Sequence, residues 1–309
     1  MAEFCEQYMI DYVGSKREWT GATDAEAIPL FRPRRARRTD PLVYHAGLVC
    51  QYALAQYDLS LAGEAGAAER FLRYARWLER SAVEEPRGRF RTWRYAFGLR
   101  TPPTDPGWIS GMTQGQALSV LLRAHSRTGD PATARIVCDA AAAFLFDVDE
   151  GGVVLRLSDG SRFIEEVVGG PPTAVLNGCL YGICGLVEFL QAFPDAALGR
   201  RLDALVAGVS RRLPDYDTGY WSRYCLGIRW CLAPDAYHRC HVQQLRYLGA
   251  ILGEAIFHRF AERWNGYGQR RIQKARRRVV ASLQRYVNRV MTVTGPTSLK
   301  YRRLTAGGA

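Results

Sequence analysis

No apolar run in this chain approaches the ~20 residues that a membrane-spanning helix needs, so no segment is expected to cross a bilayer. The N-terminal stretch Met1-Ala-Glu-Phe-Cys-Glu6 carries acids and has no apolar segment behind a basic start, so no secretory signal is read there. The eight cysteines, at 5, 50, 138, 179, 184, 225, 231 and 240, include no Cys-x-x-Cys pair, which removes zinc-knuckle and thioredoxin readings. Cys50, Cys138, Cys179 and Cys184 fall at apolar-face positions of helices, where cysteine behaves as a small hydrophobe. Reduced thiols in a cytoplasmic protein are the expectation. The histidines have no carboxylates at ligand spacing, and no glycine-rich phosphate loop follows a strand, so neither metal nor cofactor is expected.

Acid is also missing, but only from one end. After Glu262 there is no Asp or Glu, while Arg263, Arg270, Arg271, Lys274, Arg276, Arg277, Arg278, Arg285, Arg289, Lys300, Arg302 and Arg303 occur. These twelve cations equal the whole net charge of +12, so residues 1–262 are neutral in sum. The basic tail is read either as a solvated face or as a contact for a polyanion. Nucleic acid is the weaker partner, because no aromatic-rich basic face or recognition motif accompanies the charge. A smaller cluster lies at Arg32-Pro-Arg-Arg-Ala-Arg-Arg38.

What is present is a repeat. Strong helical periodicity starts near Tyr44, Ser110, Thr173 and Tyr237, at intervals of about 64 residues. Each start opens a helical hairpin preceded by a short β excursion, as at 88–95, 151–157 with 162–166, and 216–230. The fourth helix is predicted from 237 to about 257 and is continued by a long basic helix to 290, with 291–309 frayed. A two-helix unit cannot bury its own apolar face; four such units arranged in a ring can. The fold expected is therefore mainly α, an α/α toroid of four helical-hairpin repeats with β-hairpin excursions at one rim. Residues 1–41 form an arm, 42–264 the barrel, and 265–309 a basic helix and tail. The N-termini of the inner helices would gather at that rim, bringing Tyr44, Trp108, Gln114, Glu166, Asn177, Tyr224, Tyr237 and His238 around one mouth.

Four motifs in this order carry a resemblance. Gly107-Trp-Ile-Ser-Gly-Met-Thr-Gln-Gly-Gln-Ala-Leu-Ser119, Thr173-Ala-Val-Leu-Asn-Gly178, Tyr216-Asp-Thr-Gly219 and Tyr237-His-x-x-His-x-x-Gln-Leu245 resemble the catalytic domain of glucuronyl C5-epimerases. The similarity runs from about Tyr44 to Trp264. It implies an α/α barrel that takes a proton from C5 of a D-glucuronate residue and returns one to the opposite face, giving L-iduronate. It further implies Glu166, Tyr224 and Tyr237 as the catalytic residues and, by a looser match, a role for Tyr44. Two positions depart from the family: Val167 stands where a tyrosine often follows the glutamate, and Tyr224-Cys-Leu-Gly227 replaces Tyr-Asp-Leu-Arg, with Arg229 the nearest arginine.

The residue types make chemical sense by themselves. Inversion needs an acid and a base on opposite faces of the sugar. A glutamate with an ordinary pKa of ~4.3 is already an anion and suits the base, whereas a tyrosine of ~10 is neutral at pH 7 and suits the donor. Arg229, His238, Asn177 and Gln116 are candidates to neutralise the substrate carboxylate, with Trp108, Gln114 and His241 also placed in substrate binding. Each has a plainer alternative: Asn177 as a partner for neighbouring backbone, His238 and His241 as buried structural histidines, Gln114 and Gln116 as links between repeats. Three functions remain in play: an epimerase on an acidic glycan, a lyase using the same carbanion, or a non-catalytic acidic-glycan module. A homodimer is left open.

Overall fold

The computed structural model describes residues 7–33, 39–85, 89–229, 231–294 and 301–305. Cys5, Arg34 to Arg38 of the smaller basic cluster, Gly88, Trp230, and most of the stretch expected to fray lie outside the described residues. A four-residue helix α1 (Val13–Lys16) precedes four hairpins: α2 (Ala46–Leu61) with α3 (Ala67–Ser81), α4 (Gly111–Thr128) with α5 (Pro131–Ala141), α6 (Leu176–Ala192) with α7 (Ala196–Tyr216), and α8 (Asp235–Leu252) with α9 (Ala255–Gln269). The last helix is α10 (Arg271–Thr294). The strands form four antiparallel pairs: β1 (Leu30–Phe31) with β2 (Val43–Tyr44), β3 (Val83–Glu84) with β4 (Arg91–Thr92), β5 (Leu99–Arg100) with β6 (Pro103–Thr104), and β7 (Val154–Arg156) with β8 (Arg162–Ile164). The protein is an α/α toroid, its inner helices α2, α4, α6 and α8 packed in sequence order.

Local chemistry sets these boundaries. Ser110 accepts the Thr113 amide at the start of α4, and Asp130 caps α5 ahead of Pro131. The expected continuous helix beyond Tyr237 is instead cut after Leu252, because Gly253 takes a left-handed φ of 69° and caps α8. That turn makes the fourth unit a hairpin like the others. Conversely, α7 runs past the expected end at 213 and carries Pro214 inside its last turn.

The seam between α4 and α6 is the closest in the ring. A Cβ on Gly115 would lie 2.4 Å from the Tyr181 carbonyl, and one on Gly185 would lie 2.2 Å from the Gly115 carbonyl. Backbone therefore touches backbone, and nothing larger than glycine fits. Gly115→Ala is expected to cost about 1–3 kcal/mol through forced separation of the helices, read as a lowered denaturant midpoint at unchanged slope. Among the described residues no comparable seam joins α2 to α8. The N-terminal segment reaches into the ring instead: Tyr8, Met9, Ile10 and Tyr12 join the main core. The Tyr12 hydroxyl donates to Tyr181 of α6 at 2.8 Å and accepts from Gln116 of α4 at 2.7 Å.

Candidate active site

Because the inner helices point the same way, the N-termini of α2, α4 and α6 meet at one rim and surround a cavity of about 220 Å³. Its wall includes the residues that cap those helices, His45, Ser110 and Val175, together with Thr173. The partial positive charge of three helix ends faces the same space. Tyr95 and Trp108, stacked at 4.0 Å, form one side, with the 99–102 hairpin near them. Glu166, Tyr224 and Ile228 also line it.

Two adjacent glutamates follow β8, and their surroundings separate them. Glu165 accepts from the Thr173 hydroxyl at 2.6 Å and from the Thr173 and Ala174 amides at 3.0 Å each. This fastens the segment before α6, where Ala174 holds a left-handed φ of 47° that only a surrounding network maintains. The Tyr216 hydroxyl, donating to the Ala174 carbonyl at 2.6 Å, is the second fastening. Glu165 is therefore saturated by structure.

Glu166 is not. Its Oε1 accepts a long bond from the Tyr224 hydroxyl, 3.4 Å, and its Oε2 is buried with no hydrogen-bond partner. Burial, then the charge of Glu165, push its carboxyl up to about 7, while the Tyr224 bond opposes the shift. Gly178 makes the seat: a Cβ there would stand 2.4 Å from Oε2. The last residue of the Thr173–Gly178 motif is thus glycine so that a carboxylate can lie against the first turn of α6. Burial and the neighbouring Glu166 hold Tyr224 well above the usual phenol value, so it is a neutral donor. The Tyr237 ring meets the Tyr224 ring edge-on at 5.0 Å, half exposed at the start of α8 and behind the cavity wall.

Other expected site residues lie elsewhere. Tyr44 turns its hydroxyl to Asp24 at 2.8 Å and its ring to Trp77, outside the cavity; one position on, His45 lines it. Gln114 donates to the carbonyls of Arg91 and Ala140, tying α4 to β4 before it and α5 after it. Gln116 serves Tyr12. Asn177 is buried, its Oδ1 without a partner, and its carbonyl accepts from Gln244. None of the three lines the cavity. Arg229 is exposed beside Ile228. Its charge and that of Arg223, after burial, lower Arg302, which the C-terminal strand-like segment brings alongside through the Tyr301–Ile228 bridge.

The two histidines of α8 form a structural relay. His238 Nε2 meets the Trp264 carbonyl at 2.9 Å and must carry the proton, so Ser222 donates to His238 Nδ1 at 2.8 Å. Ser222 Oγ is then the acceptor for His241 Nδ1 at 3.0 Å. The His238 ring lies on Trp221 at 3.8 Å. Burial lowers His238 to about 4, and burial with the His238 charge lowers His241 to about 3. Neither is a cation for a carboxylate at neutral pH. The unfolded chain protonates histidine near ~6.5, so their stabilisation is complete above that pH and is lost as pH falls toward 4 and 3. The unfolding free energy should fall on acidification from about pH 6.5, by up to ~1.4 kcal/mol per pH unit per histidine, read as a dropping melting temperature whose slope flattens in a His238→Gln/His241→Gln variant.

His45, Tyr95 and Glu165 were not singled out from the sequence. His45 was shadowed by Tyr44, and its signal is the N-cap position, where Nδ1 accepts the Leu48 amide at 3.1 Å. Burial lowers it to about 4, leaving a neutral ring whose Nε2 carries the proton. Among the described residues no cluster of three or more His, Cys, Asp or Glu is arranged to hold a metal, and no disulfide joins the described cysteines. No described helix is long and apolar enough to cross a membrane.

Comparison with known proteins finds a family match and similar proteins. The family described as D-glucuronyl C5-epimerase C-terminus matches residues 87–266. A D-glucuronyl C5-epimerase of Caenorhabditis elegans is 28% identical over 295 residues, covering 84% of this chain and 47% of its own length. The chain thus spans about half the length of that curated relative. A solved structure of UGL with dGlcA-Glc-Rha-Glc is similar at a TM-score of 0.49 and 16% identity, over 72% of this chain and 60% of that one.

Proposed function

We propose, from the premise that this chain belongs to the D-glucuronyl C5-epimerase C-terminus family, that it inverts C5 of a D-glucuronate residue in an acidic glycan, without a cofactor. The observation that carries this reading is Glu166: a carboxylate with one oxygen unpartnered, pushed up to about 7, and bonded only by a neutral phenol in a cavity ringed by helix N-termini. As base it is stronger than an ordinary glutamate yet substantially ionised at neutral pH, the compromise that general-base catalysis favours. Tyr224 returns the proton, with Tyr237 behind it. The 3.4 Å bond between Glu166 and Tyr224 is weak enough to open when a sugar ring enters between them.

The substrate carboxylate gathers charge as C5 loses its proton. The amide ends of α2, α4 and α6 and the His45 ring proton lie fixed around that space and need no reorganisation to stabilise it. A cavity of about 220 Å³ suits one sugar residue rather than a chain, the rest of the glycan running over the rim past Arg229, Arg223 and Arg302. Incubation with glucuronate-containing glycans in deuterated water tests the reading. Deuterium at C5 of an intact chain containing iduronate supports it; a shortened, unsaturated product would make the protein a lyase, and no C5 exchange on any glycan would remove catalysis.

A further inference from the structure

The reaction makes no use of α10. This helix is about 36 Å long at 1.5 Å per residue and carries seven cations and no acid. One side is occupied by the body: Arg276 lies over Tyr220 at 4.1 Å, Arg277 pairs with Asp235 at 3.2 Å, Val280 packs on the Tyr220–Trp221–Ala233 cluster, and Gln284 accepts the Leu232 amide. A second side is apolar and faces water. Ile272, Val279, Leu283 and Tyr286 are 75%, 63%, 60% and 69% exposed, and at 100° per residue they fall within about 60° of arc. Arg271 and Arg278 flank this stripe on the side away from the body, with Lys274 further round the helix.

We propose that α10 lies on an anionic membrane surface, with its apolar stripe among the acyl chains and its flanking cations on lipid phosphates. The proposal rests on the stripe and the charge together and does not depend on the epimerase reading. A soluble acidic glycan or a nucleic acid would satisfy the cations but leave four large apolar side chains in water. A second copy of the chain would cover the stripe but bring two acid-free helices side by side, which like-charge repulsion opposes. An anionic bilayer is the one surface that complements both.

Flotation of the full chain with vesicles tests this. Wild type should rise with phosphatidylcholine–phosphatidylglycerol vesicles and stay behind with phosphatidylcholine alone. Ile272→Ser/Val279→Ser/Leu283→Ser should lose roughly tenfold or more of the binding, as should Arg271→Gln/Lys274→Gln/Arg278→Gln. Both should melt as wild type does, the changed side chains being exposed, and the Ser variant should keep its affinity for a soluble glucuronate polymer. Failure of wild type to float with either vesicle overturns the proposal. So does undiminished flotation of the Ser variant, which would mean charge alone is read, or dissociation of a wild-type oligomer by it, which would make the stripe a self-contact.

Discussion

Glu166→Gln should abolish C5 exchange, a loss of about a hundred- to ten-thousand-fold in rate, while leaving the protein folded. Glutamine keeps the shape, the seat against Gly178 and an oxygen for the Tyr224 hydroxyl; it removes only the capacity to take a proton. The same change has a signature in stability with a definite sign. The folded carboxyl titrates near 7 and the unfolded one near 4.5, so the stability held below pH 4.5 is lost as pH rises through 7. Glutamine has no such loss. The variant should therefore melt above wild type at alkaline pH and converge with it on acidification, as followed by scanning calorimetry. A purely structural glutamate would give the opposite: destabilisation without selective loss of exchange.

The largest effect on stability is expected far from the cavity. Arg123 of α4 and Glu188 of α6 form a two-pronged ion pair at 2.8 and 3.0 Å, with side chains only 3% and 4% exposed. Arg123 also donates to the Ser119 carbonyl at 2.9 Å and lies 5.4 Å from the ring centres of Tyr8 and Tyr57. The pair ties the inner helices together at the end opposite the rim. Arg123→Met strands a carboxylate in the core and should cost about 3–5 kcal/mol, a drop in melting temperature on the order of 10 °C. Arg123→Met/Glu188→Leu should recover most of that loss, because well-packed apolar groups replace a buried pair at little net cost. Neither variant should alter the pH dependence of C5 exchange at temperatures where it is folded.

The ring was legible because its causes are periodic. Apolar spacing and capping residues such as Ser110 and Asp130 act within one turn of chain, and the repeat follows from them. The break at Gly253 was not, since the apolar pattern continues through it and only the backbone angle marks the turn. Within the site, the motifs led to Glu166 and Tyr224, and the structure brings these two into contact. Polar side chains deep in apolar helices were harder to place. Gln114, Gln116, His238 and His241 look like ligand groups in a linear sequence, yet they satisfy carbonyls, a tyrosine and a serine supplied by distant segments. Those partners lie 16 to 104 residues away, beyond what local spacing reports. Tyr44 and His45 differ by one position, and the helix start at Ala46 decided which of them faced the cavity.

The most direct measurement is the rate at which solvent deuterium enters C5 of a glucuronate glycan, followed by NMR from about pH 5 to about pH 9. A base held in this environment predicts a rate that climbs through an apparent pKa near 7 and is missing throughout in Glu166→Gln. A rate already near its plateau at pH 5, as a carboxyl of ordinary pKa 4.5 would give, or exchange at the wild-type rate in that variant, would contradict the assignment.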